Sequence, residues 1–354
     1  MSRDDDEDYD EKEDKISELG PSLSVKASST ATEALASKFS AVSLKYFDDQ
    51  FLQLMFEVEA QGKKLVRKPP IINRGYYTRV KVIEKLVNRF LHINKSSPSL
   101  QIVSLGGGFD TLAYNLFDRI NNENHTINLK IFEIDFTHII TKKASFTMRN
   151  DVFSKLQTKL LEESSSSVAL TRPYGYYFGN YRLLTADLRR AVDVQAALLE
   201  SGADIHIPTL FITECVLVYI SKQDTSSLLH TLSTLFTHPN TSWVSYDMIH
   251  PTDVFGKRML DNLTRAGHSL PGFVDYPTLS AHETRFTEAG WVSVKASDML
   301  TVYNNMITAA EKEHVDGIER LDEVEEWRLI MTHYSLTIAT KGDEGLLASV
   351  DIPA

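Results

Sequence analysis

The segment Leu100–Leu105 (LQIVSL) runs straight into Gly106-Gly107-Gly108, and a helical pattern with Leu112, Leu116 and Phe117 on one side follows at once. This strand–glycine–helix junction constrains the fold more than any other feature of the chain. An apolar run of that length reads as a strand covered on both faces, and crossover helices between parallel strands supply such cover. Apolar runs then recur between polar and helical stretches: Leu129–Asp135 (LKIFEID), Leu183–Leu188 (LLTADL), Thr209–Cys215 (TLFITEC) and Trp243–Met248 (WVSYDM). The alternation predicts an α/β, doubly wound, Rossmann-like sheet that is mostly parallel. Near the end, Phe286–Val294 reads as a helix end, a glycine turn and a strand. Thr332–Thr340 (THYSLTIAT) alternates as a last strand beside it, antiparallel.

A helical cap precedes this core. Leu44–Phe56 is apolar at helical spacing, Pro69-Pro70 ends that region, and Tyr76, Val80, Ile83, Val87, Phe90 and Leu91 then form one apolar helix face. Arg74 sits just before it. The expected organisation is a disordered acidic tail over 1–30 and one domain over 31–341, followed by a short tail over 342–354. Within the domain, the cap is 31–97 and the core, with its insertions, 98–341. The stretch Glu162–Ser167 is polar and reads as a loop, and no internal repeat is found. The first 14 residues hold nine acids and two bases, and such a run lacks the apolar content to offset ordering.

Charge and hydropathy exclude several classes. Lys plus Arg is 37 and Asp plus Glu 48, a formal net charge of −11, of which −7 lies in those 14 residues. A body so near neutrality is a poor binder of nucleic acid, which leans on clustered Lys and Arg. The longest apolar run, Thr209–Ile220, is interrupted by Glu214 and falls short of the ~20 residues of a membrane helix. The acidic N-terminus is unlike a secretory or transit signal, so a soluble cytoplasmic protein is expected. The single cysteine, Cys215, sits in an apolar run and reads as a packed thiol. The histidines show no metal-binding spacing, so no metal site is expected. The pair Tyr76-Tyr77 reads as the core-facing start of a helix.

The glycine turn lets a ligand approach the backbone. From Gly106 the sequence reads GGGFDT, so the third glycine of a dinucleotide fingerprint is replaced by Thr111. That disfavours a pyrophosphate and an NAD-dependent dehydrogenase, and suits a small nucleoside without phosphate. Acids stand at successive strand ends: Asp135 or Glu133, then Asp187, then Glu214. In a doubly wound sheet such ends line one crevice. A carboxylate after the second strand can accept from ribose hydroxyls, and one after the third from an adenine amino group. An acid inside FITECVLVY needs a reason, because burying a charge unpaired is costly, and a cationic ligand group would be one.

Six segments carry a resemblance to a known family: Lys38–Ser43 (KFSAVS), Asn73–Val80 (NRGYYTRV), Gln101–Thr111 (QIVSLGGGFDT), Phe132–Phe136 (FEIDF), Ala186–Arg189 (ADLR) and Glu214–Tyr219 (ECVLVY). In their order and over nearly all of residues 31–341, the chain resembles the leucine carboxyl methyltransferases. These esterify the C-terminal leucine of the protein phosphatase 2A catalytic subunit. The family's glycine motif usually reads L-G-A-G, and here its middle residue is Gly107.

The resemblance implies S-adenosyl-L-methionine as cofactor and that phosphatase subunit as protein partner. It implies Lys38 and Arg74 at the methionine carboxylate, Gly106 and Gly108 along the cofactor and Asp135 on the ribose. Asp187 with Leu188 would hold the adenine, and Glu214 the methionyl ammonium region. Tyr219 would lie near the reacting carboxylate, with Arg74 and Tyr219 as the catalytic positioning groups. The reaction implied is direct in-line methyl transfer to an acceptor already ionised at neutral pH. Lys68-Pro69-Pro70 and Gly256–Pro277 are the expected mouth for a folded partner. Two alternatives stand beside this reading. One is the carboxyl methyltransferase of tRNA wybutosine biosynthesis, which carries a C-terminal β-propeller for which this chain is expected to have no room. The other is a non-catalytic phosphatase-binding protein.

Overall fold

Nine strands among the described residues form one sheet: β1 (Ser99–Leu105), β2 (Asn128–Asp135), β3 (Leu170–Arg172), β4 (Gly175–Phe178), β5 (Tyr181–Thr185), β6 (Thr209–Glu214), β7 (Ser242–Met248), β8 (Ser293–Asp298) and β9 (Tyr334–Thr340). The computed structural model describes residues 21–60, 66–122, 127–149, 152, 170–172, 174–342 and 345–350 of the chain. The sheet order is β3-β4-β5-β2-β1-β6-β7-β9-β8. The five strands β5, β2, β1, β6 and β7 are parallel, as their apolar runs predict. β9 lies antiparallel between β7 and β8, which places the final alternating strand where it was expected.

The register sets the working edge. Leu105 pairs with Ile134 on one side and Thr213 on the other. The next residue of each strand is therefore Gly106, Asp135 and Glu214, all at one level. From β1 the chain steps outward to β2 and β5, then returns to add β6 and β7 on the other side. The crevice at that reversal lies at the carboxyl ends of β1 and β6, where α/β sheets take their ligands.

Both sheet faces are covered. On one face Leu100, Ile102 and Ile131 join the cap, which consists of α1 (Pro21–Ser43), α2 (Gln50–Ala60) and α3 (Pro70–Ile93). On the other, Val103, Phe132, Phe211 and Trp243 pack under α6 (Ala191–Glu200) and α7 (Lys222–Leu235). Phe211 and Trp243 stack at 5.1 Å. α4 (Leu112–Asn122) and α5 (Thr137–Thr147) follow β1 and β2 as crossovers. Strand β7 is buried along its whole length despite Ser242, Ser245 and Asp247. There Asp247 takes a 2.7 Å ion pair from Arg285, and Ser245 donates to the same carboxylate at 2.8 Å. The two charges offset each other at 0 % exposure, while Asp247 Oδ1 and Arg285 Nε and Nη1 are left without hydrogen bonds.

Two boundaries differ from expectation. Helix α1 begins at Pro21, inside the segment read as a tail. Residues 1–20 and the polar stretch 162–167 lie outside the described residues. The final segment is not all tail: Leu346 is fully buried in the core, and Leu347–Ser349 make a 3-10 turn. The short β3–β4 hairpin extends the sheet beyond β5, because four-residue strands show too few residues for periodicity to register. Among the described residues no helix is long and apolar enough to cross a membrane.

Candidate functional site

A cavity of about 830 Å³ opens at the carboxyl ends of β1, β2, β5 and β6. Lys38, Gly106, Gly108, Asp135, Asp187, Leu188, Glu214 and Tyr219 all line it. Arg74 does not. Of the two acids offered after β2, Asp135 reaches the cavity. Glu133 is buried beneath, paired with Lys143.

The glycines act through conformation and space. Gly106 and Gly108 both adopt left-handed backbone, at φ 68° and 54°. A Cβ on Gly106 would stand 2.7 Å from a Val216 methyl, and one on Gly108 would stand 3.3 Å from the Ala31 Cβ. The floor of the cavity is therefore backbone. Asp135 accepts from the Gly108 amide at 2.8 Å and from the Phe136 amide at 2.7 Å. Burial pushes its carboxyl up, against those two amides. Its two oxygens are pinned, and their remaining lone pairs can still take a diol. Asp187 is held by the Arg189 guanidinium, with Nη2 2.6 Å from Oδ2 and Nε 2.9 Å from Oδ1.

Glu214 meets its cation in Arg79, whose Nε lies 2.5 Å from Oε2. The same guanidinium stands 4.9 Å from the Tyr246 ring centroid and 5.7 Å from that of Tyr76. Burial works against the charge on Arg79, but Glu214, Cys215, Tyr76 and Tyr246 together outweigh it and hold the guanidinium well above its usual range. Lys38 donates to Asp110 at 2.8 Å and to Thr111 at 3.2 Å, and lies 3.5 Å from Asp49. Burial alone would lower this ammonium, and the two carboxylates reverse the sign. Tyr219 sits in a 3-10 turn (Leu217–Tyr219) after β6, with its ring 6.3 Å from His268. Burial raises its phenol, which is therefore a hydrogen-bond donor at neutral pH. Cys215 lines the cavity with φ 55°, and burial pushes its thiol up to about 12. A thiol is a poor nucleophile without its thiolate, so it contributes shape.

Arg74 requires correction. Its side chain is 5 % exposed and turned away from the cavity, with Nη1 2.6 Å from Asp316 and Nη2 3.3 Å from the Glu319 carbonyl oxygen. Five residues along a helix of 3.6 per turn is about 140° of rotation, so one α3 arginine faces the cavity and the other faces α12 (Ala309–Ile318). Ahead of it in the chain, α10 (Leu279–Glu288) precedes β8 and α11 (Met299–Met306) follows it. Sequence reasoning could have found Arg79. It stands three residues after Tyr76 and one before Val80, on the stripe already identified as apolar, and a charge on such a stripe needs a partner. Tyr76 shares that stripe and lines the cavity, whereas Tyr77 is buried in the core. Arg74→Ala is expected to leave donor affinity within about threefold while lowering stability by about 1–3 kcal/mol, because Asp316 is largely exposed and screened. Titration calorimetry and thermal melting check both halves, and a loss of affinity without a loss of stability would return Arg74 to the site.

Eight carboxylates and four cations line the cavity. Such a surplus favours a ligand with positive charge and disfavours a polyphosphate. Gly267, His268, Ser269 and Pro271 form part of its rim, and so does Lys68. Both segments expected at the mouth thus contribute to it.

Comparison with known proteins gives a consistent result. The profile of the leucine carboxyl methyltransferases matches residues 26–233. The Arabidopsis thaliana leucine carboxyl methyltransferase 1 homolog is 34% identical over 317 residues, covering 90% of each chain. The Bos taurus leucine carboxyl methyltransferase 1 is 32% identical over 317 residues, again covering 90% of each. The Rattus norvegicus tRNA wybutosine-synthesizing protein 4 is 31% identical over 89% of this chain, which spans only 44% of that protein.

Proposed function

Because the chain belongs to the leucine carboxyl methyltransferase family, we propose that it transfers a methyl group from S-adenosyl-L-methionine to the α-carboxylate of a C-terminal leucine. The protein phosphatase 2A catalytic subunit is the proposed acceptor, and the cytoplasm the proposed location. The observation that carries this reading is the register that brings Gly106, Asp135 and Glu214 to one level of one cavity.

The residues suit the donor. A glycine turn whose left-handed backbone admits no side chain at Gly106, and a lining rich in carboxylates, match a nucleoside bearing a sulfonium and an ammonium. Asp135 is the ribose acceptor, Asp187 and Leu188 frame the adenine, and Glu214 faces the ammonium region. Lys38 and Arg79 are the cations for the donor's own carboxylate, Arg79 taking the place first expected for Arg74. When bound, the donor supplies a methyl group on sulfur, which the acceptor oxygen takes by in-line displacement.

The chain needs no general base, since a peptide α-carboxyl with a pKa near ~3.5 is already ionised. Opposite charges vanish as the methyl moves, so a strong cation on the acceptor would stabilise the ground state more than the transition state. A neutral donor such as the Tyr219 phenol orients the acceptor without that cost. The remaining demand is alignment and water exclusion, worth roughly 7–11 kcal/mol in well-oriented pairs. A tRNA acceptor fits less well, because the carboxylate-lined cavity repels a phosphate backbone.

Incubation with methyl-labelled S-adenosylmethionine tests the reading. The phosphatase subunit is expected to take up label that is released by mild base, as an ester is. The same subunit lacking its last leucine is expected to take up none. Equal labelling of both would overturn the acceptor, and alkali-stable label would overturn the ester.

A further inference from the structure

Between β7 and α10 the chain makes an excursion from His250 to Pro277, and its two ends are tied by the His250 amide donating to the Pro277 carbonyl oxygen at 2.8 Å. The excursion carries α8 (Val254–Arg265) and α9 (Pro271–Asp275). Its two helices are held very differently. α9 is pressed onto the Tyr219 turn, so closely that a Cβ on Gly272 would stand 2.1 Å from the Leu217 carbonyl oxygen.

α8 has only Gly256 fully buried. Met259, Leu260 and Leu263 pack against the buried cluster Val218, Met248, Leu270 and Phe273, against which Cys215, Tyr219 and Tyr334 of the cavity lining also pack. The residues that follow, Gly267 to Pro271, form part of the cavity rim. Both ends of α8 are flanked by left-handed backbone, His250 at φ 64° and Gly267 at φ 88°.

One polar contact secures its N-terminal end. Asp253 caps α8 by accepting from the Gly256 amide at 2.7 Å. The same carboxylate lies 3.0 and 2.9 Å from Nε2 of His333, which is only 3 % exposed. On its other side Nδ1 of His333 lies 2.7 Å from the carbonyl oxygen of Leu329, in α13 (Val324–Thr332). The ring thus bridges the Asp253 carboxylate and the Leu329 carbonyl oxygen. His333 immediately precedes β9, and its own carbonyl accepts from Ile249 at 2.9 Å. The ring therefore ties α8 to the sheet.

We propose that His333 is a positioning residue that acts through Asp253. It latches α8 against the wall carrying Tyr219 and so sets how readily the donor side of the cavity opens. The proposal rests on the reading above only in taking this cavity as the donor's.

The test separates the latch from the cap. Serine caps a helix as well as aspartate does but is too short to reach His333. In Asp253→Ser the α8 amides of the free protein are expected to exchange hydrogen about tenfold faster, the change expected for one charge-assisted hydrogen bond. S-adenosylhomocysteine, added as the probe, is expected to leave about fivefold faster, since opening of α8 is one step in its release. Asparagine can cap Gly256 through its oxygen and donate to Nε2 through its amide, so Asp253→Asn is expected to stay within about twofold of wild type on both measures. Unchanged α8 exchange in Asp253→Ser, or Asp253→Asn as fast as Asp253→Ser, would overturn the latch. Faster exchange with no S-adenosylhomocysteine binding to any variant would keep the latch and instead remove the functional reading.

Discussion

Arg79→Ala is expected to reduce S-adenosylmethionine affinity by about two orders of magnitude or more, roughly 3 kcal/mol at about 1.4 kcal/mol per decade. Two losses combine. The donor's carboxylate forfeits its cation, and Glu214 is left partly buried without its partner, since both side chains are only 19 % exposed. Removing one member of a buried pair costs more than the pair itself contributes. Tyr76 and Tyr246 bracket the guanidinium, so lysine, with a point charge and no plane, should recover only part of the affinity. Calorimetry on a variant shown to melt cooperatively decides the point. Affinity within threefold of wild type would remove Arg79 from the site.

Gly106→Ala should be comparably damaging for a different reason. At φ 68° an alanine costs about 1–2 kcal/mol of backbone strain. Its Cβ also meets both Val216 methyls, at 2.7 and 2.9 Å, and a β-branched neighbour has little rotamer freedom with which to yield. Donor affinity is expected to fall by more than about tenfold, with a lower melting temperature. Gly107→Ala is the contrast. Gly107 has no left-handed backbone, and the nearest obstacle to its Cβ is the Ser104 hydroxyl at 2.8 Å, which can rotate. Its affinity is expected to stay within about threefold. If Gly107→Ala proved as damaging as Gly106→Ala, the assignment of the cradle to backbone conformation would fail.

These contrasts show what the chain reveals by itself. Parallel strands announce themselves because both faces are buried, and their terminal acids are conspicuous against apolar runs. Asp187, Glu214 and the pair Asp135 or Glu133 were legible for that reason, whereas the order of the strands was not. The choice between Arg74 and Arg79 was harder. Both stand in the one motif Asn73–Val80, and only the rotation of α3 separates a cavity cation from one braced against Asp316. Lys38 and Tyr219 came only from resemblance. Lys38 is brought to the glycine turn by packing between α1 and the core, and Tyr219 by a turn that carries no periodicity. The His333–Asp253 contact joins residues 80 positions apart, beyond any local pattern.

The shared level of Gly106, Asp135 and Glu214 has a consequence for how the molecule comes into being. None of the three is near another along the chain. They become neighbours only when the ladders from β1 to β2 and from β1 to β6 have both closed. A nascent or partly unravelled chain therefore offers no fragment of the pocket to a nucleoside. Occupancy draws the population toward the completed sheet, by about 2.7 kcal/mol when the ligand is at a hundred times its dissociation constant. Filling of the pocket and completion of the sheet are in this way linked through the hydrogen-bond ladder.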